Sequence, residues 1–166
     1  TEDLVEASKA SSGTMAVNRV PMELGELLSQ CSAEYAERLL AANLELVTDC
    51  PAGVQVLADG RLLWRVFDNL LGNACKYSQP GTRVYITVEA AQEQVLVQVK
   101  NISREVLNVT PEALMERFVR GDSSRSAEGS GLGLSIAKSL MELNEGKLEL
   151  AIDGDLFKAL LTLGKP

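Results

Sequence analysis

The chain has 166 residues, 46% of them apolar, and a formal net charge of −7. That length supports one hydrophobic core rather than two, no run approaches the roughly 18 consecutive apolar residues of a membrane helix, and the charged opening TEDLVEASKA is unlike the apolar centre of a signal peptide. The acidic balance speaks against a nucleic-acid partner, whose phosphates are gripped by basic surfaces, so any phosphate ligand has to be held locally and with help from a metal ion.

In chain order, Thr1 to Ala10 read as polar helix, and SSGTMAVN then interrupts with Ser and Gly, as at the severed end of an upstream helix. After Pro21, MELGELLSQCSAEYAERLLAAN places Leu24, Leu27, Leu28, Cys31, Tyr35, Leu39 and Leu40 near helical spacing, which predicts an amphipathic helix. LELVTD and VQVLA read as short strands around a turn at Pro51 and Gly53, and Asp59 stands as the N-cap of a helix running to about Ser78. PGT leads into RVYITVEA and QVLVQVKNI, two β-branched runs in a hairpin pattern. Ser103 to Ser130 reads as a long loop holding only a short PEALMERF helix. LGLSIAKSLMELNEG predicts a helix closed by Gly146, and KLELAID with LFKALLTL a last strand pair around Asp153 and Gly154. Cys31, Cys50 and Cys75 are odd in number and far apart, which fits reduced thiols rather than a zinc site or a disulfide framework.

Two segments carry chemistry. On the helix holding DNLLGNACKYS, Asn69, Asn73, Lys76 and Tyr77 lie at spacings of three and four and share a polar face, while Val66, Phe67, Leu70, Leu71 and Ala74 face the core. An Asn carbonyl is a neutral oxygen ligand suited to Mg²⁺ already surrounded by phosphate oxygens, and Lys is a compact charge for phosphate; an ordinary exposed polar face is the plainer reading. In GSGLGLSIAK, Gly129, Gly131 and Gly133 stand just before a helix, where missing β-carbons let backbone N–H groups approach an anion; a glycine-capped turn is the plainer reading there. The second segment is neither a dinucleotide fingerprint, since no strand directly precedes it, nor a P-loop, since the Gly-Lys-Ser/Thr ending is missing.

Together and in this order, the segments resemble the histidine-kinase branch of the gyrase, chaperone, histidine-kinase and mismatch-repair ATPase superfamily, over about Pro21 to Leu163. DNLLGNACKY resembles the family's N box, ERFVRGD its F-box region, GSGLGLSIAK its G2 box and GDLF its closing strand. The resemblance implies an α/β fold of Bergerat type: a two-layer sandwich with a mixed sheet covered on one face by three main helices. It implies ATP and Mg²⁺ as cofactors beneath a lid at about 103–130, in a catalytic domain covering 14–166, with 1–13 as the end of a dimerisation-domain helix and linker. The family's magnesium-binding Asn falls on Asn73 and its partner on Asn69. Lys76 is implied to touch phosphate, Tyr77 to lie beside the base, and Arg120 in the lid to reach the outer phosphate. Gly131 and Gly133 are implied to line the triphosphate, with Gly129, Leu132 and Leu134 completing the nucleotide-binding stretch. Phe118 either packs the lid or takes a direct part, and Trp64 and Phe67 read as core.

One departure stands out. Where the family has an Asp followed by two glycines to receive the adenine amine, this chain has NISREV, so Asn101 takes the Asp position and Ser103 and Glu105 replace the glycines. The chain also contains no His, so the phosphoacceptor is expected upstream, on a dimerisation domain that is one implied partner. A response regulator is the other, and the whole protein is expected to be a homodimeric bacterial sensor, membrane-anchored, with this domain in the cytoplasm. Two further readings are open. In the topoisomerase and chaperone branch a water-activating Glu precedes the metal Asn by one turn, where this chain has Asn69. A binding module that has lost catalysis is suggested by NISREV.

Overall fold

A computed structural model describes residues 16–107, 110–113, 115 and 133–166. The helix end expected at 1–13 lies outside the described residues, as do Phe118, Arg120, Glu128, Gly129, Gly131 and Leu132 of the lid and G2 box. Along the described chain run β1 (Val20–Glu23), α1 (Leu24–Ala41), β2 (Glu45–Asp49), β3 (Gln55–Ala58), α2 (Gly60–Tyr77), β4 (Arg83–Ala90), β5 (Gln94–Ile102), α3 (Gly133–Leu143), β6 (Lys147–Asp153) and β7 (Leu156–Gly164).

Five strands form one sheet in the order β2-β4-β5-β7-β6. The β2–β4 pair is parallel and the other pairs antiparallel, so the sheet is mixed. A parallel pair cannot be closed by a tight turn, and β3 with α2 supplies the crossover. Period-two alternation then decides the faces. Val84, Ile86 and Val88 of β4, Val95, Val97 and Val99 of β5, and Ala159, Leu161 and Leu163 of β7 are buried, and their neighbours in sequence are not. The buried stripes of α1, α2 and α3 join that face in one core centred on Phe67, Leu63, Ile86, Leu140 and Met141. This is the two-layer α/β sandwich with three main helices that the resemblance implies; a short helical turn at 111–113 adds to them.

Two local expectations need correction, and a third gains detail. Val20–Glu23 is a strand, paired antiparallel with β3 in a separate two-stranded sheet, so α1 starts at Leu24 rather than just after Pro21. Pro21 has no N–H to give a ladder, which suits this two-stranded ribbon, where every strand is an edge. Leu40 is 80% exposed, whereas Leu39 is 5% exposed, so in the last turn of α1 the buried stripe passes through Leu39 and leaves Leu40 outside it. At the end of α3 the left-handed residue is Glu145, at φ 58°. Glu145 N–H bonds Glu142 O at 2.9 Å and Gly146 N–H bonds Met141 O at 2.8 Å, the paired closure of a Schellman motif. Gly146 is needed for another reason: a β-carbon there would collide with the Thr162 carbonyl oxygen and lie 3.0 Å from Met141 Cε.

Candidate functional site

The site is built on α2, and α2 begins at a buried carboxylate. Asp59 caps the helix by accepting from Arg61 N at 3.1 Å and also accepts from Asn18 N at 2.9 Å. Its own N–H donates to Asn144 Oδ1 at 2.7 Å. That last bond joins the start of α2 to the end of α3, where Asn144 also donates through Nδ2 to Leu140 O at 3.0 Å. From this anchor, Leu62, Leu63, Val66, Phe67, Leu70, Leu71 and Ala74 face the core. The helix period leaves Asn69 and Asn73 on an adjoining face.

Against that face stands the first described residue of α3. A β-carbon on Gly133 would lie 3.8 Å from Asn73 Oδ1 and 4.0 Å from Asn69 Oδ1. The two segments singled out in sequence therefore meet in space. Asn69 Nδ2 and Asn73 Nδ2 are both buried, and among the described residues neither has a hydrogen-bond partner. A buried amide left without a partner costs free energy, so two of them side by side, next to a helix start, mark a place made for a ligand. A side-chain amide turns easily about its last torsion and can offer oxygen or nitrogen. Among the described residues no group of three or more His, Cys, Asp or Glu could hold a metal ion. An ion here would therefore share its shell between amide oxygen and the oxygens of an anionic ligand. The residues present fit Mg²⁺ brought by a phosphate chain.

Lys76 and Tyr77 close α2 and are half-buried. Their carbonyls are tied by a residue that sequence reasoning missed: Arg104 donates from Nη2 to Lys76 O, and from its backbone N to Tyr77 O at 2.8 Å. A guanidinium at a helix C-terminus also meets the negative end of the helix dipole. Ser78, equally unforeseen, follows immediately. It is 3% exposed and accepts at Oγ from Asn101 Nδ2 at 2.9 Å, while Asn101 is 6% exposed on central strand β5. Asn101 is thus at the end of α2 and one strand residue from the start of the loop, close in the fold to Tyr77. Ser103 and Glu105 face one another locally, with Glu105 N–H on Ser103 Oγ at 3.2 Å. Leu134 is 1% exposed in the core, leaving its backbone as the part able to face a ligand. Trp64 packs at the core's edge and Phe67 at its centre.

The profile of the family described as histidine kinase-, DNA gyrase B-, and HSP90-like ATPase matches residues 58–162. Among curated proteins, the signal transduction histidine-protein kinase BaeS of Escherichia coli strain K12 is 29% identical over 149 residues, covering 89% of this chain and 32% of BaeS. The probable sensor protein PcoS of Escherichia coli is 33% identical over 156 residues, covering 93% of this chain and 33% of PcoS. The chain thus spans about a third of the length of these relatives. Among solved structures, the catalytic domain of histidine kinase ThkA superposes with a TM-score of 0.76 at 23% identity, covering 89% of this chain and 96% of that one. At that identity the likeness carries the fold alone.

Proposed function

The chain belongs to the histidine kinase-, DNA gyrase B-, and HSP90-like ATPase family, and from that premise we propose that it is the Mg-ATP-binding catalytic domain of a two-component sensor histidine kinase. In the whole protein its part is to present the γ-phosphoryl of ATP to a histidine on an upstream dimerisation domain, from which a response regulator takes it. The observation that carries the reading is the meeting of Gly133 with Asn69 and Asn73, whose buried amide nitrogens have no partner among the described residues. The backbone start of α3 attracts phosphate oxygens. Asn73, with Asn69 beside it, would hold the ion, which when bound would neutralise charge on the phosphates. Lys76 supplies a further positive charge. Asn101 faces the exocyclic amine of the base, Tyr77 lies along its edge, and Arg120, outside the described residues, is assigned to the outer phosphate. The names BaeS and PcoS carry, a histidine-protein kinase and a sensor protein, support the kinase assignment. Dimerisation and cytoplasmic exposure belong to the same reading of the whole sensor. Among the described residues no helix is long and apolar enough to cross a membrane.

Calorimetric titration with Mg-ATP tests the reading without the rest of the protein. Wild type is expected to bind in a Mg-dependent way, and Asn73→Ala to lose that binding with its melting curve little changed, because the position faces the site and not the core. Unchanged Mg-ATP affinity in Asn73→Ala overturns the site. For the lid, hydrogen exchange across 103–130 with and without Mg-ATP is the matching test: nucleotide is expected to raise protection there.

A further inference from the structure

The last turn of α2 carries Lys76 and Tyr77, and the chain leaves that turn without closing it. The final carbonyls of any helix have no partner within it, and something else has to meet them. At the end of α3 a local turn does so. After α2 the chain is already extended at Ser78, with φ −79° and ψ 149°, so the Ser78 N–H reaches back only to Ala74 O, at 3.1 Å. The next N–H, that of Gln79, is drawn away to Ile102 O at 2.8 Å. The carbonyls of Lys76 and Tyr77 are thus left for a partner outside the helix.

Both are met by one residue of the loop that follows β5. Arg104 gives its backbone N–H to Tyr77 O at 2.8 Å and a guanidinium N–H, from Nη2, to Lys76 O, 28 residues away in sequence. A guanidinium only donates and a carbonyl only accepts, so the contact has one sense. Its positive charge also stands at the negative end of the helix dipole. The backbone that presents it is fixed in turn: Ser103 bridges to Ser78 and donates its N–H to Asp155 O at 2.7 Å. Among the described non-glycine residues only Asn43 and Glu145 lie at positive φ, so Ser103, Arg104 and Glu105 carry their side chains without backbone strain.

We propose that Arg104 is a positioning residue for phosphate binding: by capping the last turn of α2 from outside the helix, it holds Lys76 where its ammonium meets the phosphate chain. This rests on the site reading above, in which Lys76 supplies charge to the phosphates. Arg104 touches no ligand in this scheme. Without the cap the last turn frays, and binding has to order that turn as well as the long Lys76 side chain. Asn73 stands one turn earlier, inside the helix, so the contact to the ion does not depend on the cap.

A double-mutant cycle read by Mg-ATP calorimetry on the chain is the test. Arg104→Ala is expected to weaken binding by about three- to tenfold while leaving it Mg-dependent. Lys76→Ala should weaken it at least as much, and the double variant should match Lys76→Ala to within about twofold, because the cap acts through that side chain. Arg104→Lys, which keeps a charged donor, should recover most of the loss. Hydrogen exchange on the nucleotide-free chain supplies a second readout: the amides of Lys76, Tyr77 and Ser78 should exchange faster in Arg104→Ala, and those of Leu70 and Leu71 should not. Undiminished affinity or unchanged exchange in folded Arg104→Ala overturns the proposal. Full additivity of the two losses overturns it too, since Arg104 would then act on the nucleotide directly and not through Lys76. If Arg104→Ala does not fold, Arg104→Met, which keeps the aliphatic stem and removes the donors, takes its place in the same cycle. Failure of the underlying site looks different: wild type does not bind Mg-ATP, or Lys76→Ala binds it as well as wild type, and the proposal falls with it.

Discussion

Cys31 sits on α1 at 1% exposure, and burial pushes its thiol from an ordinary 9.0 up to about 12, with the carboxylates of Asp68 and then Glu34 adding to the rise. Tyr35, one turn on, is raised as well, chiefly by burial and by donating its hydroxyl to Asp68. Both groups are neutral when protonated, and the unfolded chain gives up these protons at lower pH than the folded one. Their stabilising contribution is therefore whole below pH 9 and is lost as pH rises toward 12. Denaturant unfolding between pH 8 and 11 should show falling stability, and Cys31→Ala, though less stable throughout for its lost packing, should fall less steeply between pH 9 and 10. An equal slope would mean that Cys31 does not titrate late. Because the thiolate is the nucleophile, iodoacetamide at pH 8 should label native Cys50 and Cys75 before Cys31. The sequence suggested reduced thiols but not which was deepest, since depth depends on which helix face the sheet covers.

Each end of α3 has its own task, and a single substitution separates them from the rest of the helix. Its start lies against Asn69 and Asn73, and its end is held by Asn144 on Asp59 and by the closure through Glu145 and Gly146. Gly146→Ala drives a methyl into the Thr162 carbonyl of β7, a backbone atom that cannot step aside. We expect a loss of about 1–3 kcal/mol, the range of an overpacked core. Glu145→Gly removes the strain of a side chain at φ 58° and should stabilise by about 0.5–1 kcal/mol, less whatever its exposed ion pair with Arg19 contributes. Thermal melts of the two variants moving in these opposite directions check the assignment; a silent Gly146→Ala would refute the close approach. Sequence reading found this helix and the glycine that closes it but not the second task of that glycine, because a sequence shows that a cap is near and not which neighbour strand presses on it. It missed β1 for a similar reason: VPME has four residues and a proline, and only pairing with β3 makes it a strand. The shared helix face of Asn69 and Asn73 was legible, since it rests on helical spacing, while of the G2 glycines only Gly133 lies among the described residues. The Ser78–Asn101 bond was not legible, since it joins residues 23 apart through tertiary structure.

At the scale of the molecule, one sheet carries three helices on one face, and the site lies where α2 and α3 meet at its edge. The same frame serves kinases and ATPases in the family, so what separates them is the group offered to the γ-phosphorus. Hydrolysis needs a base fixed within reach of a water. In the ATPase branch a Glu one turn before the metal-binding Asn is that base, and here the position holds Asn69, an amide that cannot take a proton. Glu105 is exposed, with its backbone engaged by Ser103 rather than its carboxylate held in place, so it has no fixed geometry on which to aim a water. The chain has no His to receive the phosphoryl group. Among the described residues bound ATP therefore has no efficient acceptor, and binding and turnover should come apart. We expect the purified domain to bind Mg-ATP and to release phosphate at well below about 1 s⁻¹, the low edge of ordinary enzyme rates. A phosphate-release assay decides: faster, Mg-dependent turnover that Asn73→Ala removes would place the chain with the water-activating ATPases, whereas slow release with intact binding leaves phosphoryl transfer to an upstream histidine as its chemistry.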